Sequence, residues 1–167
     1  MNDMSMLLEQ FPYAGRIEWL GVRPARNEAM HVVESVEARL GQGLTGDRYS
    51  GRSGKREVTL IQAEHLPVIQ ALCPGAAITP ELVRRNLVVS GINLLALKGR
   101  RLRLGMSAVV EITGPCAPCS KMETALGRGG YNAMRGHGGV TARVVQPGII
   151  RRGDMAIEEN AFIPSAQ

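Results

Sequence analysis

Eight short apolar runs, each of strand length, constrain this chain more than any other feature of it. They cover residues 16–22, 31–38, 58–62, 86–90, 101–104, 108–113, 141–146 and 155–158. Arg101-Leu102-Arg103-Leu104 alternates polar with apolar, and Val110 and Ile112 share one strand face. Turn signals separate the runs at Gly41, Gly43, Gly46, Gly91, Gly99, Gly105, Gly114, Pro147, Gly148 and Gly153. Strands this short and numerous fit a barrel or sandwich of largely antiparallel strands. A doubly wound sheet would instead need a helix after each strand. The expected fold class is therefore mainly β with a few short helices.

Three helices are expected. Residues 63–72 place Leu66, Ile69 and Gln70 at helical spacing, with Pro67 limiting the N-terminal end. Thr79-Pro80-Glu81 combines a capping hydroxyl, proline at the first helical position and an acidic residue suited to the helix dipole. Ser120-Lys121-Met122-Glu123 reads as a capping box, with Ser120 as the cap. Residues 1–14 read as a loosely attached N-terminal arm, 15–160 as one barrel domain and 161–167 as a tail.

Composition narrows the function classes. No apolar run reaches the roughly 20 residues that cross a bilayer, so no membrane association is expected. The first ten residues carry acidic side chains and no basic n-region, and three cysteines are an odd number. A cytoplasmic protein is expected. The net charge is +5, and of the 20 basic residues only Lys55, Lys98 and Lys121 are lysines. Arginine suits bidentate recognition of phosphate or carboxylate. Nucleic acid is not expected as a partner, because Trp19, three Tyr and two Phe form no stacking pattern among the basic residues.

Chemistry centres on Cys116-Ala117-Pro118-Cys119. With Ser120 as cap, Cys119 lies just before a helix start, near unsatisfied N–H groups and the Lys121 ammonium. Such a thiol can attack sulfur, carry a persulfide or ligate a soft metal. Zinc is a poor fit, since only Cys73 and three histidines could complete the set, at irregular spacing. A thioredoxin-type pair would need a βαβ setting that these runs do not provide.

Two further stretches stand out. Residues 127–139 hold six glycines among Arg128, Arg135 and His137 and do not fit a dinucleotide fingerprint, nor does the segment 51–55 fit a phosphate-binding loop, since Arg56 stands where its Ser or Thr would be. Residues 127–139 read as a loop leading into a strand, its backbone approaching a ligand closely, with Arg135, His137 and Arg143 adding positive charge. Gly46-Asp47-Arg48-Tyr49 and Arg84-Arg85-Asn86 are the other pair, the second ending a helix and entering an apolar strand. One of those two arginines is expected to turn inward toward an anion.

Taken in order, these segments resemble the MOSC family, the module at the C-terminus of molybdenum cofactor sulfurases. The matching stretches begin with Gly43-Leu44-Thr45-Gly46-Asp47-Arg48-Tyr49 and Val58-Thr59-Leu60-Ile61-Gln62. They continue through Thr79-Pro80, Arg84-Arg85-Asn86-Leu87-Val88-Val89-Ser90-Gly91-Ile92-Asn93-Leu94 and Leu97-Lys98-Gly99. Cys116-Ala117-Pro118-Cys119, Gly136-His137-Gly138-Gly139-Val140, Arg143-Val144, Gly148 and Gly153-Asp154 complete the series.

The resemblance implies a MOSC-type β-barrel whose pocket binds the molybdenum cofactor (molybdopterin) or passes sulfur to a molybdenum centre. It places Cys119 at the family's more dependable thiol position, as persulfide carrier or molybdenum ligand, with Cys116 beside it. It also places Arg48, Arg84, Arg85, Asn86, His137 and Arg143 among the pocket's polar residues, toward the phosphate and pterin. These 167 residues hold no aminotransferase-like domain, so no bound pyridoxal phosphate is expected. A cysteine desulfurase or other sulfur donor would load the chain, and a molybdoenzyme would receive the sulfur. The alternative is a stand-alone molybdenum-dependent reductase of N-hydroxylated compounds, fed by an electron-transfer protein. A second alternative is a cofactor-free barrel with a structural thiol pair.

Overall fold

A computed structural model describes residues 3–49, 51 and 53–160 of the chain. Among these residues eleven strands and five helices follow one another. They are α1 (Met4–Leu8), β1 (Gly15–Val22), β2 (His31–Val32), β3 (Ser35–Arg39), β4 (Gly43–Leu44), β5 (Val58–Gln62), α2 (His65–Leu72) and α3 (Pro80–Val83). After these come β6 (Leu87–Ser90), a 3-10 turn (Leu94–Leu97), β7 (Arg101–Leu104), β8 (Ala108–Pro115), α4 (Ser120–Leu126) and α5 (Gly130–Met134). The series closes with β9 (Val140–Gln146), β10 (Gly148–Arg151) and β11 (Met155–Glu158).

The main sheet runs β11-β7-β8-β9-β5-β6-β1-β2, and a further β11–β1 pairing closes seven of those strands into a barrel. Closure removes the unpaired edges that an open sheet of this length would expose. All pairings are antiparallel except β5 with β6, which run parallel because α2 and α3 lie between them in sequence. Strands β10, β3 and β4 form a separate small sheet. The mainly-β class and the barrel are as expected.

Two apolar clusters divide the core. Ile17, Leu20, Leu60, Leu87, Val89, Leu102, Leu104, Val110, Ile112 and Ala142 fill the barrel. Trp19, Ile61 and Val88 face outward from β1, β5 and β6 against Ile69, Val83, Met122, Leu126 and Met134 of the helices. Strands β5 and β6 are thus covered on both faces, which explains their unbroken apolar sequences. Within the N-terminal segment, Phe11 is buried in the barrel cluster and lies under the Arg100 guanidinium, 5.8 Å from the ring centroid.

The glycine-rich stretch departs from expectation. Instead of a loop running straight into a strand, it contains α5, entered through Gly129 at φ 87°. The Glu123 carboxylate, expected to close a capping box on α4, reaches forward and accepts from Gly129 N (2.7 Å) and Tyr131 N (2.8 Å). It caps the next helix instead. The Tyr131 N–H first, and Gly129 second, hold this carboxyl below its ordinary value of 4.5. A lowered carboxyl stabilises the fold above its ordinary value and loses that contribution as pH falls through the lowered one. Glu123→Ala should therefore speed amide exchange at Tyr131 near neutral pH. The difference from wild type should vanish in strong acid, where both lack the charge.

Candidate functional site

The site is built where β5, β6 and the segment between β8 and α4 meet. Asn86, fully buried, ties three of its walls together. Its Oδ1 accepts from Thr59 N and Thr59 Oγ1, both at 3.0 Å, and its Nδ2 donates to Gly21 O (3.1 Å) and Asp47 Oδ1 (3.2 Å). Asp47, its side chain wholly buried, in turn accepts from Arg23 N, Nε and Nη2 at 2.7, 3.2 and 3.0 Å. Asn86 and Asp47 are thereby committed to protein partners and act as a bracket that orients Arg23.

Around that bracket lie five arginines. Arg84 takes the left-handed conformation that ends α3 (φ 58°) and donates to Glu28 O at 2.7 Å. Burial lowers its pKa, and the neighbouring Arg23 and Arg48 charges lower it further. Arg23, Arg48 and Arg56 line one cleft together with Tyr49 and Ser53. Arg85, only 7% exposed, turns inward as expected of one of the pair. Its Nε donates to Gly138 O (2.8 Å) and its Nη1 to Val83 O (2.9 Å), but its Nη2 is buried without a partner. Burial is the main cause that lowers the Arg85 pKa; negative charge on the cysteine sulfurs, Cys116 first, opposes it, and the Arg23 and Arg56 charges add to it.

The two thiols occupy different settings. Cys116 is buried, and Arg56 Nη2 approaches its Sγ at 3.9 Å. Cys119 is exposed and is itself the N-cap of α4, in extended backbone geometry, with no side-chain capping bond. The expected cap at Ser120 is thus shifted by one residue, which brings Cys119 closer to the helix start than anticipated. Glycine permits the tight packing behind the pair: a Cβ at Gly138 would collide with the Cys116 carbonyl, and one at Gly139 (φ 86°) with that of Leu60.

Arg48, Arg84 and Asn86 therefore gather with Arg23 and Asp47, Arg85 reaches the glycines packed behind Cys116, and Arg143 lies apart. Arg143 projects from β9 and pairs with Glu111 at 3.1 Å, lining a separate cleft with Lys55 and Lys98. His137 sits edge-on to His65, ring centroids 5.3 Å apart, with its Nδ1 buried and unpartnered. Arg23 and Arg56 are functional candidates that the sequence reading missed. Among the described residues no cluster of three or more His, Cys, Asp or Glu is arranged to hold a metal ion, and no helix is long and apolar enough to cross a membrane.

The model of the MOSC domain matches residues 35–156, most of the chain and every segment just described except β1 and the Arg23–Glu28 stretch. The chain belongs to the MOSC domain family. Solved structures show the same barrel. The YuaD protein from Bacillus subtilis superimposes with a TM-score of 0.74 at 19% identity, covering 86% of this chain and 94% of that one. YiiM from Escherichia coli gives 0.69 at 19% identity, over 88% of this chain and 70% of its own. YiiM from Geobacillus stearothermophilus gives 0.69 at 19%, over 86% and 74%. No curated protein matches in sequence. At that identity these neighbours establish the fold. MOSC domains are generally associated with binding the molybdenum cofactor. The arginines of this MOSC barrel fit such a group: the buried Arg85 Nη2 lacks an acceptor, and a phosphate supplies one.

Proposed function

We propose that this protein is a cytoplasmic sulfur carrier that binds the molybdenum cofactor, with Cys119 holding the carried sulfur as a persulfide. The observation that supports it is the Arg85 Nη2, a buried cationic donor with no partner among the described residues, on a side chain bonded to Gly138 behind Cys116. Leaving such a group unpaired costs free energy that an incoming anion would recover. Arg23, Arg48, Arg56 and Arg84 provide the neighbouring positive field, with Asp47 bracketing Arg23. Arg85 and this field would hold the phosphate. The cofactor, when bound, supplies a molybdenum centre able to take sulfur. Cys119 is exposed, so a cysteine desulfurase or another sulfur donor can reach it, and a molybdoenzyme would be the recipient.

A second reading rests on the free Sγ of the capping Cys119. Uncommitted to a hydrogen bond, it has lone pairs available to ligate molybdenum. The protein would then be a reductase fed by an electron-transfer partner. Purification from a host that makes the cofactor, followed by pterin and molybdenum analysis, separates the two. The carrier reading predicts copurifying pterin that survives Cys119→Ala. Stoichiometric molybdenum that disappears with Cys119→Ala would establish ligation instead, and the absence of pterin would overturn cofactor binding altogether.

A further inference from the structure

Cys116 has a place in the arrangement that sulfur carriage by Cys119 alone leaves unused. It is buried where Cys119 is exposed, three residues away in sequence. Arg56 Nη2 stands 3.9 Å from its sulfur, and Arg85, whose Nη2 has no partner among the described residues, donates to the carbonyl of Gly138, the glycine packed against the Cys116 carbonyl. Cys116 also lines a cleft of about 260 Å³ with Pro118, Tyr131, Gly138 and Gly139. That is ample for one added sulfur atom, given that a water molecule takes up roughly 30 Å³. The exposed thiol is thus the one a donor can reach, and the buried thiol is the one beside the guanidiniums.

We propose that the two thiols form an inward relay, in which Cys119 receives sulfur at the surface and hands it to Cys116 beside Arg56 and Arg85. This rests on the carrier reading above. The Cys116 thiolate attacks the outer sulfur of the Cys119 persulfide, Cys119–Sγ–SH. The sulfur–sulfur bond on Cys119 breaks, and its electron pair returns to Cys119 Sγ as thiolate. A new sulfur–sulfur bond forms on Cys116, and the hydrogen stays on the transferred sulfur. Nothing is oxidised or reduced overall, so no further reagent is needed. Once in place, the persulfide on Cys116 can accept from the Arg56 and Arg85 donors. Burial would also shield it from thiols in solution.

The test loads the protein with inorganic polysulfide, traps it by alkylation at intervals, and locates the extra sulfur by fragment-ion mapping. In the wild type, sulfur should appear first on Cys119 and then accumulate on Cys116. In Cys119→Ser, loading of Cys116 should slow by about tenfold or more, because the exposed entry thiol is gone. In Cys116→Ser the sulfur should remain on Cys119, and in Arg56→Gln the balance should shift back toward Cys119. The relay is wrong if Cys116 loads at the wild-type rate without Cys119, or if sulfur stays on Cys119 with Cys116 intact. It is equally wrong if loading ends in a Cys116–Cys119 disulfide with release of hydrosulfide. Retention on neither thiol would remove the carrier reading itself, and the relay with it.

Discussion

Replacing Arg85 with methionine should abolish cofactor retention while leaving the protein folded. Affinity should fall by at least ~10²-fold, because a buried guanidinium with a free donor is the group an incoming phosphate would depend on most. The stability change should be small, for opposing reasons. Losing the bonds to Gly138 O and Val83 O costs about 1–3 kcal/mol each. Removing a buried charge with no anionic partner returns several kcal/mol of desolvation. A net change within about 2 kcal/mol is expected, read from urea unfolding beside pterin titration. A variant that binds normally would show that Arg85 is a structural cation. One that fails to fold would mean its two carbonyl contacts outweigh its buried charge.

Asn86→Leu should have the opposite profile: a large loss of stability. The leucine side chain is close in volume, but it can neither accept from Thr59 N and Oγ1 nor donate to Gly21 O and Asp47 Oδ1. Buried groups orphaned this way cost about 1–3 kcal/mol each, so a total near 4 kcal/mol is expected even after partial relaxation. For a chain of this size that lowers the melting temperature by roughly 8–16 °C. Thermal unfolding followed by circular dichroism gives the value. A drop of only a degree or two would mean that water replaces these bonds and that the bracket holding Arg23 is not rigid.

The contrast between these neighbouring residues also shows how much was legible in the chain itself. Strands β5, β7 and β11 coincide with their apolar runs because turn residues or polarity changes bound them on both sides. Strands β4 and β10 were not anticipated: both begin with glycine and one is two residues long, so neither carries a period. Helix α5 was hidden by the glycines that flank it, and only the carboxylate of Glu123 accounts for its start. Arg84-Arg85 was readable as a pair in which one side chain turns in, because the pair sits at a helix–strand junction. Arg23 and Arg56 gave no local signal. Arg23 joins the site through Asp47, 24 residues away, and Arg56 through Cys116, 60 residues away, and only the closed barrel brings them there. Arg143 stands apart from that group because its strand position faces outward, to Glu111.

Entry of sulfur at Cys119 is the central claim. Cyanide removes sulfane sulfur as thiocyanate, which can be counted per chain after loading with a cysteine desulfurase and free cysteine. Wild type should release thiocyanate in near-stoichiometric amount, and Cys119→Ala should release at least about tenfold less after the same brief loading while its melting temperature stays unchanged. Equal thiocyanate from the two proteins, or none from either, would contradict it.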